Sequence, residues 1–124
     1  MNGVLGKEPE GAAYGSIGRH ELGKHFRMRY QLTDDISDLV KAIEEMRLCV
    51  ELALDDFPSK PFSLEMLSVV LAMYDESSQE DHLSEAIEAI ERAIRLLDID
   101  HPDHQRLNYS YRRLRRKKAR GFSL

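Results

Sequence analysis

A chain of 124 residues has the length of one domain, and its balance of 42% hydrophobic to 32% charged residues excludes both wholesale disorder and a membrane-embedded chain. The longest apolar stretch, Val69 to Met73, falls far short of the about 20 residues of a membrane span; no apolar segment follows a basic start, and one cysteine, Cys49, excludes a disulfide framework. The formal charge of −4 hides an acidic body with a basic end: residues 112–120 carry seven cations and no acid, and setting them aside leaves −11.

Six of the seven glycines fall within the first 23 residues, so 1–15 are expected to be a flexible leader, because glycine maximises the entropy lost on ordering. A first helix is predicted over about 16–31, burying Leu22, Phe26 and Tyr30. Thr33-Asp34-Asp35 then opens a second helix over about 35–54. Its apolar residues Leu39, Ala42, Ile43, Met46, Cys49, Val50 and Ala53 follow one helical stripe. Pro58 punctuates the chain before a third helix over about 61–75, with Met66, Leu67, Val70, Met73 and Tyr74 on its inner face. Ser77 and Glu80 have the spacing of a capping box before a fourth helix over about 80–98, whose stripe is Leu83, Ala86, Ile87, Ile90, Ala93, Ile94 and Leu97. After Pro102 a fifth helix is predicted over about 103–118, with Leu107, Tyr111 and Leu114 inward. No stretch reads as a strand.

Sliding the chain by 44 residues superimposes these elements without a gap. Tyr30 falls on Tyr74, Leu39 on Leu83, Ala42-Ile43 on Ala86-Ile87, Glu44 on Glu88, and Asp56-x-Pro58 on Asp100-x-Pro102. A shared helical period explains apolar coincidences; it does not explain a tyrosine, a glutamate and an acid-x-proline turn as well. The expected architecture is all-α, with tandem antiparallel helix hairpins in about two and a half repeats. The units run over about 20–60 and 61–103, a truncated third over 104–120, and a tail over 121–124.

The string Leu22-Gly23, Phe26, Arg29-Tyr30, Thr33, Asp38-Leu39, Ala42-Ile43 resembles the tetratricopeptide-like (TPR-like) repeats of large fungal proteins, including those that carry a caspase-like domain. The resemblance covers about residues 20–118, more loosely in the second unit. It implies a TPR-like α-solenoid, a stack of hairpins whose first helices line a concave face for protein contacts. Gly23, where that family packs two helices closely, is replaced by Leu67 in the second unit, which implies a splayed or shifted hairpin there.

No residue pattern favours catalysis. Asp100-His101-Pro102-Asp103-His104 superficially offers metal ligands, yet the matching Asp56-Phe57-Pro58-Ser59 has no histidine, so a helix start accounts for it. Cys49 occupies an apolar stripe unsuited to a reactive thiolate, and His25 and His82 have no serine or cysteine beside them. No glycine-rich phosphate loop follows a strand. Neither a metal nor a cofactor is therefore expected, and the chain reads as a soluble, cytoplasmic, non-catalytic scaffold for protein–protein interaction.

The expected contact surface is a groove on the first helices of the units. It comprises Lys24, Arg27 and Gln31 and their neighbours Ser68, Leu71 and Asp75, and it is suited to a partner peptide or helix, with Lys24 and Arg27 favouring an acidic peptide. The basic segment Arg112, Arg113, Arg115, Arg116, Lys117, Lys118 and Arg120 supports alternative readings: nucleic-acid or anionic-surface contact, a nuclear-import signal, or a solvated end helix. The truncated third unit also leaves self-association open.

Overall fold

The computed structural model describes residues 9–78 and 81–121, with side-chain surroundings from residue 15 onward. Five helices follow one another: α1 (Pro9–Thr33), α2 (Ile36–Leu52), α3 (Lys60–Ser77), α4 (Leu83–Leu96) and α5 (His104–Gly121). No strand occurs among the described residues, and no helix among them is long and apolar enough to cross a membrane.

Successive helices run antiparallel, as their contacts show. Residues rising along α1 meet residues falling along α2: Ser16 meets Cys49, Arg19 meets Glu45, Gly23 packs on Met46, and Arg29 faces Asp38. In the next pair Ser68 bonds to the Ala86 carbonyl and Asp75 to the His82 amide. First helices instead lie side by side and parallel, since His20 meets Ser63 and Tyr30 meets Ser77 between α1 and α3. Glu65 meets Arg106 and Glu76 meets Lys117 between α3 and α5.

The 44-residue period recurs in the backbone. Helices α1 and α3 end at Thr33 and Ser77, α2 and α4 at Leu52 and Leu96, and α3 and α5 start at Lys60 and His104. The Ala53 amide donates to Cys49 O and the Leu97 amide to Ala93 O. Phe57 donates to Leu54 O as His101 does to Asp98 O, and Lys60 to Phe57 O as His104 does to His101 O. The two proline-bearing turns are therefore built alike, with Pro58 and Pro102 inside the turn and not in the helix that follows.

Both predicted stripes face inward. Leu39, Ala42, Met46 and Cys49 are fully buried in α2; Ala86, Ile90 and Ala93 are buried in α4, with Ile94 and Leu97 half-buried. Lying between α2 and α4, α3 buries a wider face that includes Leu64, Leu67, Ser68, Val70 and Leu71. Helix α5 contributes one fully buried side chain, Leu107, with Tyr111 and Leu114 half-buried beside it.

Three expectations need correction. Helix α1 begins at Pro9, earlier than the expected 16, while residues 1–8 of the expected leader lie outside the described residues. Gly15 serves close approach here: a Cβ on it would sit 3.3 Å from Leu52 Cδ1, and the adjacent Ser16 is buried with its hydroxyl donating to Cys49 O. Leu22 is 42% exposed, because Gly23 occupies the line of contact with α2. The start of α4 differs too, with Glu80 of the expected capping box outside the described residues. Ser77 is still helical and its hydroxyl returns to Met73 O, so Asp81, accepting from the Leu83 amide, serves the start of α4. The connection into α4 (residues 78–82) is also longer than the two-residue Asp34-Asp35 link into α2, where Asp34 takes a positive φ of 61°.

A polar chain crosses the core between α1, α2 and α3. The Cys49 thiol donates to Ser63 Oγ at 3.2 Å, and Ser63 Oγ lies 2.9 Å from His20 Nδ1. With the serine oxygen already accepting from the thiol, its own proton is free for a neutral imidazole. Burial, then the nearby Lys24, holds His20 below its ordinary value of 6.5, against a smaller upward pull from Glu21. The unfolded chain thus binds this proton more readily. His20's share of stability is full above pH 6.5 and is lost as pH falls through the lowered folded value. The urea midpoint is expected to decline between about pH 7.5 and pH 5, and His20→Gln to flatten that decline. An unaltered slope in the variant would show that other groups govern it.

Candidate functional site

The charged end helix and the middle first helix form a groove of about 380 Å³. Its α3 side presents Val69, Ala72 and Met73, with Ile90 and Leu114 beneath. Its α5 side presents Tyr109, Arg113, Arg116 and Arg120, spaced 0, 4, 7 and 11 along the helix and so on one face. The Arg113 guanidinium lies 5.9 Å from the Tyr109 ring centroid.

Carboxylates stand near both ends of the α3 side, and α5 cations engage both. Arg106 forms a two-pronged pair with Glu65 (3.1 and 2.8 Å) and also reaches Asp103 at 2.7 Å. Lys117 reaches Glu76 at 2.6 Å, and Lys118 reaches Asp81 at 3.1 Å and Ser84. The carboxyl of Asp81 is held below the ordinary range chiefly by its bond to Lys118, and the Arg106 guanidinium is raised chiefly by its bond to Glu65. Among the described residues, Arg113, Arg116 and Arg120 have no acidic partner. They are the uncommitted charge of the groove.

The expected contact surface is only partly at the surface. Lys24 and Gln31 are exposed, with Lys24 3.5 Å from Glu21 on its own helix. Arg27 is half-buried between α1 and α3; its Nη1 donates to Met66 Sδ, and its Nε is buried without a partner. Ser68 and Leu71 are 3% and 1% exposed, and so belong to the core. Asp75, half-buried, accepts from the His82 amide in the turn. The reason is the position of α3: flanked on both sides, it buries the positions that an end helix would leave free. The basic segment, by contrast, does line a cleft. Arg113, Arg116, Lys117 and Arg120 face it, Arg115 stacks on Tyr111, and Arg112 is exposed. Tyr109, an aromatic beside the basic segment, shares the arginine face, while the groove positions that the sequence left unmarked are Val69 and Ala72 of α3.

The histidines and the cysteine occupy structural positions. His101 Nδ1 accepts from the Asp103 amide, and His104 Nδ1 lies 2.9 Å from Asn108 Nδ2. Among the described residues no three His, Cys, Asp or Glu side chains come together as a metal site. Cys49 is fully buried, and His82 lies at the start of α4 with its ring 4.5 Å from that of Tyr74. No protein family, curated protein or solved structure matches this chain.

Proposed function

We propose that this chain is a non-catalytic protein-interaction module of TPR-like arrangement, which receives a segment of a partner protein between its first helices. The observation that carries the reading is the α3–α5 groove, where an apolar floor lies beside three arginines that have no acidic partner among the described residues. Such a site offers burial for apolar side chains and directional charge for orientation, the two components of segment recognition. The parallel layer of α1, α3 and α5 supports the TPR-like arrangement, as does the repetition of both turns. A nucleic-acid role is weaker, because Glu65 and Glu76 flank the groove and the chain outside the basic segment is acidic.

A photo-crosslinking residue tests this. With p-benzoylphenylalanine at Tyr109, a discrete protein adduct is expected from cell extract; the same residue at exposed Glu51 of α2 gives none. Equal labelling at both positions, or adducts with nucleic acid alone, would overturn the proposal.

A further inference from the structure

We infer that the occupant of the α3–α5 groove is an amphipathic helix with an acidic edge; this rests on the groove being the docking site. The first ground is charge. Helix α5 holds eight of the chain's 18 cations and no acid, yet those nearest α3 are spent on Glu65 and Glu76. The charge left to meet a ligand is Arg113, Arg116 and Arg120, all of one sign and all on one wall. A ligand that satisfies them carries its carboxylates along one edge only. Guanidinium suits this role, because it pairs carboxylates in a two-pronged geometry and is weakly hydrated.

The second ground is the shape of the opposite wall. Between its two neutralised carboxylates, α3 offers Val69, Ala72 and Met73, so the ligand's adjoining edge is apolar. Ala72 is small enough to admit a helix backbone closely.

The third ground is spacing. Arg113, Arg116 and Arg120 rise along their own helix in steps of roughly 4.5 and 6 Å. A ligand helix repeats same-edge carboxylates at three and four residues with those same steps. An extended strand would present them roughly 6.6–7 Å apart and drift out of register. Helix matches helix.

The test is fluorescence anisotropy on the whole chain, with labelled peptides of about 20 residues, long enough to hold helical structure. One carries a glutamate edge at three- and four-residue spacing beside a leucine edge. A second has the same composition scrambled, a third has lysine for glutamate, a fourth has glutamine there, and a single-stranded oligonucleotide competes. The striped acidic peptide is expected to bind at least about tenfold tighter than the scrambled one, with affinity falling as salt rises. Charge reversal at Arg113, Arg116 and Arg120 is expected to cost at least about tenfold, and Arg95→Glu at an exposed position of α4 to cost nothing. Circular dichroism verifies that α5 stays helical, and the milder Arg116→Gln, expected to weaken binding about threefold, decides the matter if the triple variant unfolds.

Equal binding of the scrambled or lysine peptide, or displacement by the oligonucleotide, would overturn the inference. If the glutamine peptide crosslinks to p-benzoylphenylalanine at position 109 and binds as tightly as the acidic one, the groove stands and its acidic occupant falls. If no peptide labels that position, both fall.

Discussion

Gly23→Leu is expected to lower the unfolding free energy by about 3 kcal/mol, and Met46→Ala in the same chain to recover a large part of that loss. The cause is the contact between α1 and α2. Even a Cβ on Gly23 would overlap Met46 Sδ, lie 2.9 Å from Met46 Cγ and approach the Ala42 carbonyl at 3.6 Å. Leucine adds three more carbons at a place where Met46 is fully buried. Replacing glycine inside a helix ordinarily gains up to about 1 kcal/mol, so the overpacking has to exceed that gain for the sign to hold. Denaturant unfolding of both single variants and the double variant measures the coupling. If the two losses simply add, Gly23 and Met46 do not share the contact, and the close approach is set elsewhere. Leucine is already present and buried at Leu67, the matching place in the second hairpin, where Ile90 stands for Met46 and the link into α4 is longer.

The second large effect is expected at Leu107. Truncating a fully buried leucine to alanine costs about 2–5 kcal/mol, depending on how far the site collapses. Here Leu107 is the one fully buried side chain of α5, and the remaining anchors are half-buried Tyr111 and Leu114 with exposed ion pairs worth little each. The loss therefore falls on α5 before it reaches the other helices. Leu107→Ala is expected to remove roughly a fifth of the helical circular dichroism, since α5 supplies 18 of the described helical residues. Binding in the groove should vanish with it. Hydrogen exchange reads the outcome directly: amides of α5 lose protection while those of α2 keep theirs. Uniform loss across all five helices would mean that α5 is no separate unit.

What the sequence made legible was governed by periodicity. The α2 and α4 stripes, five helices and the two turns follow from apolar spacing, proline position and the 44-residue match, because one buried face per helix leaves a plain periodic signal. The first helix was harder. Its contact line is occupied by Ser16 and Gly23, neither of which registers as apolar, so Leu22 looked like the inner residue. On α3, two flanking helices widen the buried face until polar Ser68 lies inside, its hydroxyl satisfied by Ala86 O at 2.8 Å. No single-helix pattern reports that. The groove itself needed two helices about forty residues apart to be set side by side, and only the arginine face of α5 was visible beforehand.

The likeness of the two proline turns carries a consequence for how such a chain grows. A second copy of residues 60–103, spliced in frame after Asp103, would meet Lys60 through the same carbonyl and amide pairings that His104 now uses. Duplication at that seam adds a whole storey without redesigning a joint, and each added storey brings another cleft between neighbouring helices.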